Sequence, residues 1–194
     1  MSLNKINFRT VVLILMIVIA AVLRVLGAGK VISPLANFTP IGAMALFGGA
    51  VIRNKKLSFV LPLASMLLSD VLYEALYRSG LSEIPGFYSG QFTNYVLFAG
   101  ITFIGFWMRN LSIGRIAAGS VIAPTVYFLL SNLFVWIGGA GYSRPHTFGG
   151  LMLCYEDGLP FLRTSLLYTI MFSAILFGGY FLLQRFIFHR RQLA

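Results

Sequence analysis

A chain of 194 residues in which 58% are hydrophobic and only 10% are charged is too apolar for a water-exposed globule, since soluble domains are roughly 25% charged. A mean hydropathy of +0.86 would turn a folded surface into one large apolar patch, so the solvent the composition asks for is lipid. The net charge of +10 does not signal a nucleic-acid partner, because the basic residues lie between apolar runs and at the ends, where membrane topology is encoded.

In chain order, Lys5 and Arg9 precede a first apolar run over residues 10–27. The run is long and lacks a small-x-small cleavage site, so a retained helix is expected rather than a signal peptide. It carries one charge, Arg24, near its far end. The second run, 40–52, is short for a hydrocarbon core of ~30 Å. It is rich in small residues (Gly42, Ala43, Ala45, Gly48, Gly49 and Ala50), so a helix enclosed by its neighbours is expected. Pro40 suits a first helical turn, with Asn37 or Thr39 as the cap.

A basic turn at 53–56 leads into a third span over 57–77, which bears Ser69, Asp70 and Glu74 toward its end. A polar loop over 78–91 precedes the fourth span, 92–108, and a second basic turn, 109–115, precedes the fifth, 116–137. The fifth span holds Pro124 and, near its end, Ser131 and Asn132. The connection over 138–163 is glycine-rich and contains Pro145 and Pro160, which argue against one continuous helix. A short helix or re-entrant segment is expected at 148–155, then a sixth span over 166–188 and a basic tail. The fold expected is a single all-α membrane domain, a bundle of six transmembrane helices.

Charge gives that bundle a direction. With the N-terminus in the cytoplasm, the inner segments carry Lys5, Arg9, Arg53, Lys55, Lys56, Arg109, Arg115, Arg185, Arg190 and Arg191. The acids Asp70, Glu74, Glu83, Glu156 and Asp157 all fall on the other side. The positive-inside rule then expects a multi-pass protein of a bacterial inner membrane with both termini cytoplasmic.

Polar residues inside spans are costly and usually face a cavity or a partner. Asp70 and Glu74, four apart, share a helix face. Together with Asn37, Thr39, Asn132 and Trp136 they mark the outer third of the bundle, and Tyr142, Cys154 and Tyr155 lie in the loop above it. These nine residues are the candidate substrate-binding set. Each also has a plainer reading: Arg24 and Asp70 as a structural ion pair, Glu74 reaching for the interface, Asn132 as an interhelical hydrogen-bond group, the aromatics as an interfacial belt. His146 and Cys154, eight residues apart, are a weak metal pair, and a buried inert thiol is the simpler reading of the cysteine. No catalytic base–nucleophile spacing, nucleotide motif or cofactor signature is present.

Five blocks carry a resemblance. They are Asn37-Phe38-Thr39-Pro40-Ile41-Gly42-Ala43-Met44-Ala45-Leu46-Phe47-Gly48-Gly49-Ala50, Pro62-Leu63 through Ser69-Asp70, Ser131-Asn132-Leu133-Phe134-Val135-Trp136, Gly150-Leu151 through Cys154-Tyr155, and Leu159-Pro160-Phe161. In that order they resemble an uncharacterised bacterial family of transport-type proteins (DUF6580-like). That family is similar in size and layout to the substrate-binding S components of energy-coupling-factor (ECF) vitamin transporters. The resemblance implies six helices, a vitamin or related small molecule bound near the outer face, and a transmembrane coupling subunit with ATPases. S components commonly dock to that subunit through Ala-x-x-x-Ala on the first helix. Here the first span has Ala20 and Ala21 but no such pair, and the small-residue face is on the second span, at Ala45 and Gly49.

The expected function is therefore uptake of a small molecule, without catalysis or a cofactor, by a protein whose partners are the bilayer, a ligand and, as the resemblance implies, a coupling subunit. The alternative is an assembly protein that uses the small-residue helix to bind another membrane subunit. A membrane enzyme using Asp70, Glu74 or the Cys154–His146 pair is the third class.

Overall fold

The structure, a computed structural model, describes residues 8–28, 39–83, 85–139 and 144–192. Among these, all regular structure is helical: α1 (Phe8–Ala28), α2 (Ile41–Val51), α3 (Lys55–Arg78), α4 (Gln91–Trp107), a 3₁₀ turn (Met108–Asn110), α5 (Ile113–Ile137) and α6 (Phe148–Gln192).

The helix starts follow local capping. The Asn54 side chain accepts from the backbone N–H of Lys56 and Leu57, so the basic pair Lys55-Lys56 lies inside α3 rather than in the turn before it. Ser112 accepts from the Arg115 N–H and starts α5 three residues earlier than apolar content suggests. Pro40 sits at the N-cap of α2, and the Thr39 hydroxyl accepts from the Ile41 N–H at 3.4 Å.

The expected break in the last segment is not there. Residues 148–155 are neither a separate short helix nor a re-entrant segment, and the helix does not start again at 166; α6 runs unbroken for 45 residues, with Pro160 inside it. Thr147 accepts from the Gly150 N–H and caps its start. Proline removes one intrahelical donor and is tolerated where neighbours hold the flanking turns. Here α5 does so: Tyr155 donates to the Leu129 carbonyl, and Gly158 lies so close that a Cβ there would meet Asn132 and Phe128.

Three helices, Lys55–Arg78, Ile113–Ile137 and the Phe148–Arg185 part of α6, are long and apolar enough to cross a membrane. The apolar part of α1 (Val12–Leu26) and α2 are shorter. The distribution of polarity fits a membrane protein. Val12, Ile14, Leu15, Val18, Ile19 and Val22 of α1, and Val121, Ile122, Val126 and Leu129 of α5, face outward. Ser58, Ser65, Ser69, Asp70, Thr102 and Ser120 are buried. A protein in water sorts its residues the opposite way.

At the centre is α2. Ala43, Ala45, Leu46, Gly48 and Gly49 are buried on all sides, and Phe47 packs edge-on to Phe177 and Tyr180 of α6. The closest approach is to α4: a Cβ on Gly49 would collide with the Thr102 carbonyl and with Gly105. This occupied face corrects the idea that Ala45 and Gly49 present a docking surface; they are spent inside the chain.

The contacts also orient the helices. Arg24 near the end of α1 meets Asp70 near the end of α3, which meets Gln91 at the start of α4. At the opposite end, Arg109 donates to the Gly49 carbonyl at the end of α2, and Ser58 to the Ile52 carbonyl. Successive helices therefore alternate in direction, and Arg53, Lys55, Lys56, Arg109 and Arg115 gather at the end opposite to Asp70 and Glu74.

Gly49→Leu should force α2 and α4 apart, lowering stability by ~1–3 kcal/mol as overpacked cores do. Gly100→Leu, at a position with open space around it, should leave it unchanged. Thermal unfolding of the detergent-solubilised protein, read by intrinsic fluorescence, checks the pair.

Candidate functional site

The end of the bundle where α1 and α3 finish is organised around one carboxylate. Asp70 is only 1% exposed. Its Oδ1 accepts from Arg24 Nη1 at 2.5 Å, and its Oδ2 accepts from Gln91 Nε2 and, at 2.6 Å, from the Tyr95 hydroxyl. The same Nη1 also donates to the Ser69 hydroxyl and lies 3.5 Å from the Met66 carbonyl. Tyr73 completes the arrangement: its hydroxyl donates to the Arg24 backbone carbonyl at 2.8 Å, and its ring lies 5.6 Å from the guanidinium carbon. One charge pair with charge-assisted hydrogen bonds thus ties α1, α3 and α4 together.

Glu74, one turn further along α3, has a different task. It accepts from Arg78 Nε at 2.8 Å and from the Gly86 N–H at 3.2 Å. Gly86 lies directly on the α3 backbone; a Cβ there would overlap the Asp70 carbonyl and Glu74 nitrogen. Glu74 therefore fastens the α3–α4 loop rather than facing a ligand.

Beside the Asp70 cluster is a cavity of about 380 Å³ whose walls come from every helix. α1 contributes Arg24, the entry to α2 Thr39 and Gly42, and α3 Met66. The α3–α4 loop gives Tyr88, and α4 gives Asn94, Phe98 and Ile101. α5 supplies Ala123, Pro124, Tyr127, Phe128, Ser131 and Asn132; α6 supplies Phe161, Leu162, Ser165, Tyr168 and Thr169. The size and the mixture, an apolar and aromatic wall with a few placed polar groups, are those of a small-molecule site.

The polar groups are held in place. Tyr127 donates to Asn94 Oδ1 at 2.9 Å, and Asn94 Nδ2 donates to the Tyr88 hydroxyl at 2.7 Å, which fixes the way the Asn94 amide points. Burial pushes the Tyr88 phenol above its ordinary value, while the Arg24 cation pulls it down and Asp70 adds to the rise. At neutral pH it therefore keeps its proton as a donor. Asn132 donates to the Phe128 carbonyl one turn back, at 2.9 Å, leaving its oxygen unspent on that bond.

The structure thus sorts the residues picked from sequence. Thr39, Asn132 and Arg24 line the cavity. Asp70 is not on its wall; it sits behind Arg24 with both oxygens engaged. Trp136 donates to the Pro145 carbonyl at 3.0 Å and packs at a tilt against His146, ring centres 5.2 Å apart, away from the cavity. Tyr155 packs on Phe128, and buried Cys154 contacts the Asn132 carbonyl at 3.6 Å. Asn37 and Tyr142 lie outside the described residues. Among the described residues no three His, Cys, Asp or Glu side chains come together as metal ligands. Sequence reasoning missed Tyr88, Gln91, Asn94, Tyr95 and Tyr127. Gln91 and Asn94 had a usable signal: two amides three apart at the start of an apolar run share a helix face.

A family model described as a family of unknown function (DUF6580) matches residues 4–191, and the chain belongs to that family. Comparison with curated proteins and with solved structures returned no match.

Asp70→Ala should destabilise the fold toward the low end of ~3–5 kcal/mol, because it strands the Arg24 charge while 22% solvent exposure softens the loss. Arg24→Met combined with Asp70→Leu should recover most of that. A thermal-unfolding double-mutant cycle in detergent reads the coupling.

Proposed function

We propose that this DUF6580 protein is a multi-pass membrane protein that captures a small molecule in the cavity at the α1–α3 end, as the substrate-binding component of an uptake system. The observation that carries the reading is the composition of that cavity: walls from all six helices, an aromatic body, and an Asn94 amide locked by Tyr127 and Tyr88. A void left by imperfect packing would not have its polar groups pre-oriented in this way.

Charge supports a direction. The basic turns at one end and the acids at the other would place the cavity outward, with both termini in the cytoplasm of a bacterial inner membrane and six crossings. The short helix α2 would cross as part of the bundle interior rather than as a lipid-facing span. This layout is the one that the likeness to ECF S components implies.

The coupling partner is a further part of the reading, and α1 bears on it. Ala20 and Ala21 are buried, while the outward face of α1 is Val12, Ile14, Leu15, Val18, Ile19 and Val22. An energy-coupling subunit docking on α1 would meet branched aliphatic side chains rather than a small-residue seam. The rival reading as an assembly protein lacks a support it needs, since the small-residue face of α2 is covered by α4.

Native mass spectrometry of the gently solubilised protein should show a co-purifying small molecule, lost in Asn94→Leu and Asn132→Leu while the melting temperature stays within a few degrees. Absence of any bound species from both purified and ligand-fed preparations would sink the reading. For orientation, Ser79→Cys in a Cys154→Ser background should react with a membrane-impermeant maleimide in spheroplasts, and Asn110→Cys should not; the reverse pattern would invert the topology.

A further inference from the structure

The cavity wall is electrostatically one-sided, and that sets the class of ligand. Its sole charged group among the described residues is Arg24. The compensating Asp70 is buried behind it and already accepts from three side chains. Only one of the two terminal nitrogens of the guanidinium, Nη1, is engaged by that cluster. Among the described residues, Nε and Nη2 have no acceptor, which leaves N–H groups of a planar fork beside the cavity.

A second donor stands nearby on a separate element. The Tyr88 hydroxyl accepts from Asn94, so its own proton is left over, with no acceptor among the described residues. Asn94 cannot turn to provide one, because Tyr127 holds its oxygen. Beside its ion pair, Arg24 therefore offers the cavity N–H groups, and Tyr88 a phenol proton, that have no acceptor among the described residues. Two further carboxylates at this end are committed: Glu74 to Arg78 and Gly86, Asp157 to Arg144.

We infer that the ligand is a small oxyanion, a carboxylate or a group of like charge and shape, on an apolar or aromatic body, with its charged end on Arg24 and Tyr88 and its body against Phe98 and Phe128. This deepens, and rests on, the small-molecule reading above. A carboxylate satisfies the guanidinium fork with paired charge-assisted hydrogen bonds. A cationic ligand would face Arg24 in a low-dielectric site with no acid on the wall, and a neutral amide would offer one uncharged acceptor oxygen in place of two charged ones and turn its NH2 donor toward a site of donors.

The test is thermal stabilisation of the full chain in phosphatidylcholine nanodiscs by matched probes: benzoate, 3-phenylpropanoate and octanoate against their primary amides, with benzylamine as the cation. The carboxylates should give saturable stabilisation with apparent affinity at least tenfold tighter than the amides, and benzylamine none. Tyr88→Phe, which leaves the Arg24–Asp70 pair intact, should weaken the carboxylates fivefold or more and the amides less than twofold. Equal binding of amides and carboxylates, abolished by cavity-filling Ser131→Phe, would overturn the oxyanion inference while the small-molecule site stands. No binding by any probe, together with no co-purifying molecule, would overturn both. A Tyr88-dependent shift produced only by phosphatidylglycerol would overturn it in favour of a lipid headgroup.

Discussion

Burying an ionised carboxylate costs several kcal/mol, and the cost is met only when its lone pairs are filled by well-placed donors. Asp70 meets that condition through Arg24, Gln91 and Tyr95, three donors from two other helices. Each must be at its present depth for the carboxylate to be tolerated. The pair therefore sets the register of α1 and α4 against α3, as a polar residue at an otherwise apolar seam sets register elsewhere. It also decides where Arg24 can turn, since Nη1 is fixed by Asp70, Ser69 and the Met66 carbonyl. The cavity inherits Arg24, the one charge on its wall among the described residues, from this arrangement.

The apolar surroundings explain why so few polar groups suffice. Ser65 and Ser69 satisfy their hydroxyls on carbonyls of α3 itself, so their small side chains allow close packing without an orphaned group. Gly49 and Gly105 do the same between α2 and α4 with no polar atom at all. Among the described residues two buried polar atoms are left without a partner, the Ser173 hydroxyl and Gln91 Oε1, the latter on an amide that donates to Asp70. The amide thus serves the carboxylate at its own expense, consistent with the Asp70 cluster being the dominant constraint at this end.

How much of this was legible from sequence depended on whether a residue carries an energetic penalty in lipid. Arg24 and Asp70 stood out because charges in apolar runs are rare. Thr39 and Asn132 stood out for a milder version of the same reason, and both reach the cavity. Tyr88 and Tyr127 did not, because tyrosine is at home both in apolar runs and in polar loops; their roles follow from meeting Asn94, a tertiary fact. Glu74 shares a face with Asp70, yet one turn is enough to carry it from the bundle interior to the α3–α4 loop. Pro160 misled for a physical reason: a proline that would end a helix in water is held within α6 by the packing of α5 on the turn that precedes it. The alternation of helix directions was readable from charge, whereas the enclosure of α2 by both α4 and α6 was only hinted at by its short, small-residue composition.

That enclosure bears on how the molecule can be made. α2 is an 11-residue helix near the start of the chain, and the helices that cover it, α4 and α6, come later in the sequence. While the chain is emerging, α2 has a hydrophobic length of only ~16 Å and no partner, so it cannot hold a stable position in a bilayer by itself. Its enclosure is complete only when α4 has brought Gly105 against Gly49 and α6 has supplied Phe177 and Tyr180. A later helix thus helps to lock an earlier one in place, and a nascent chain halted before α6 would leave one face of a helix of small residues open to membrane quality control.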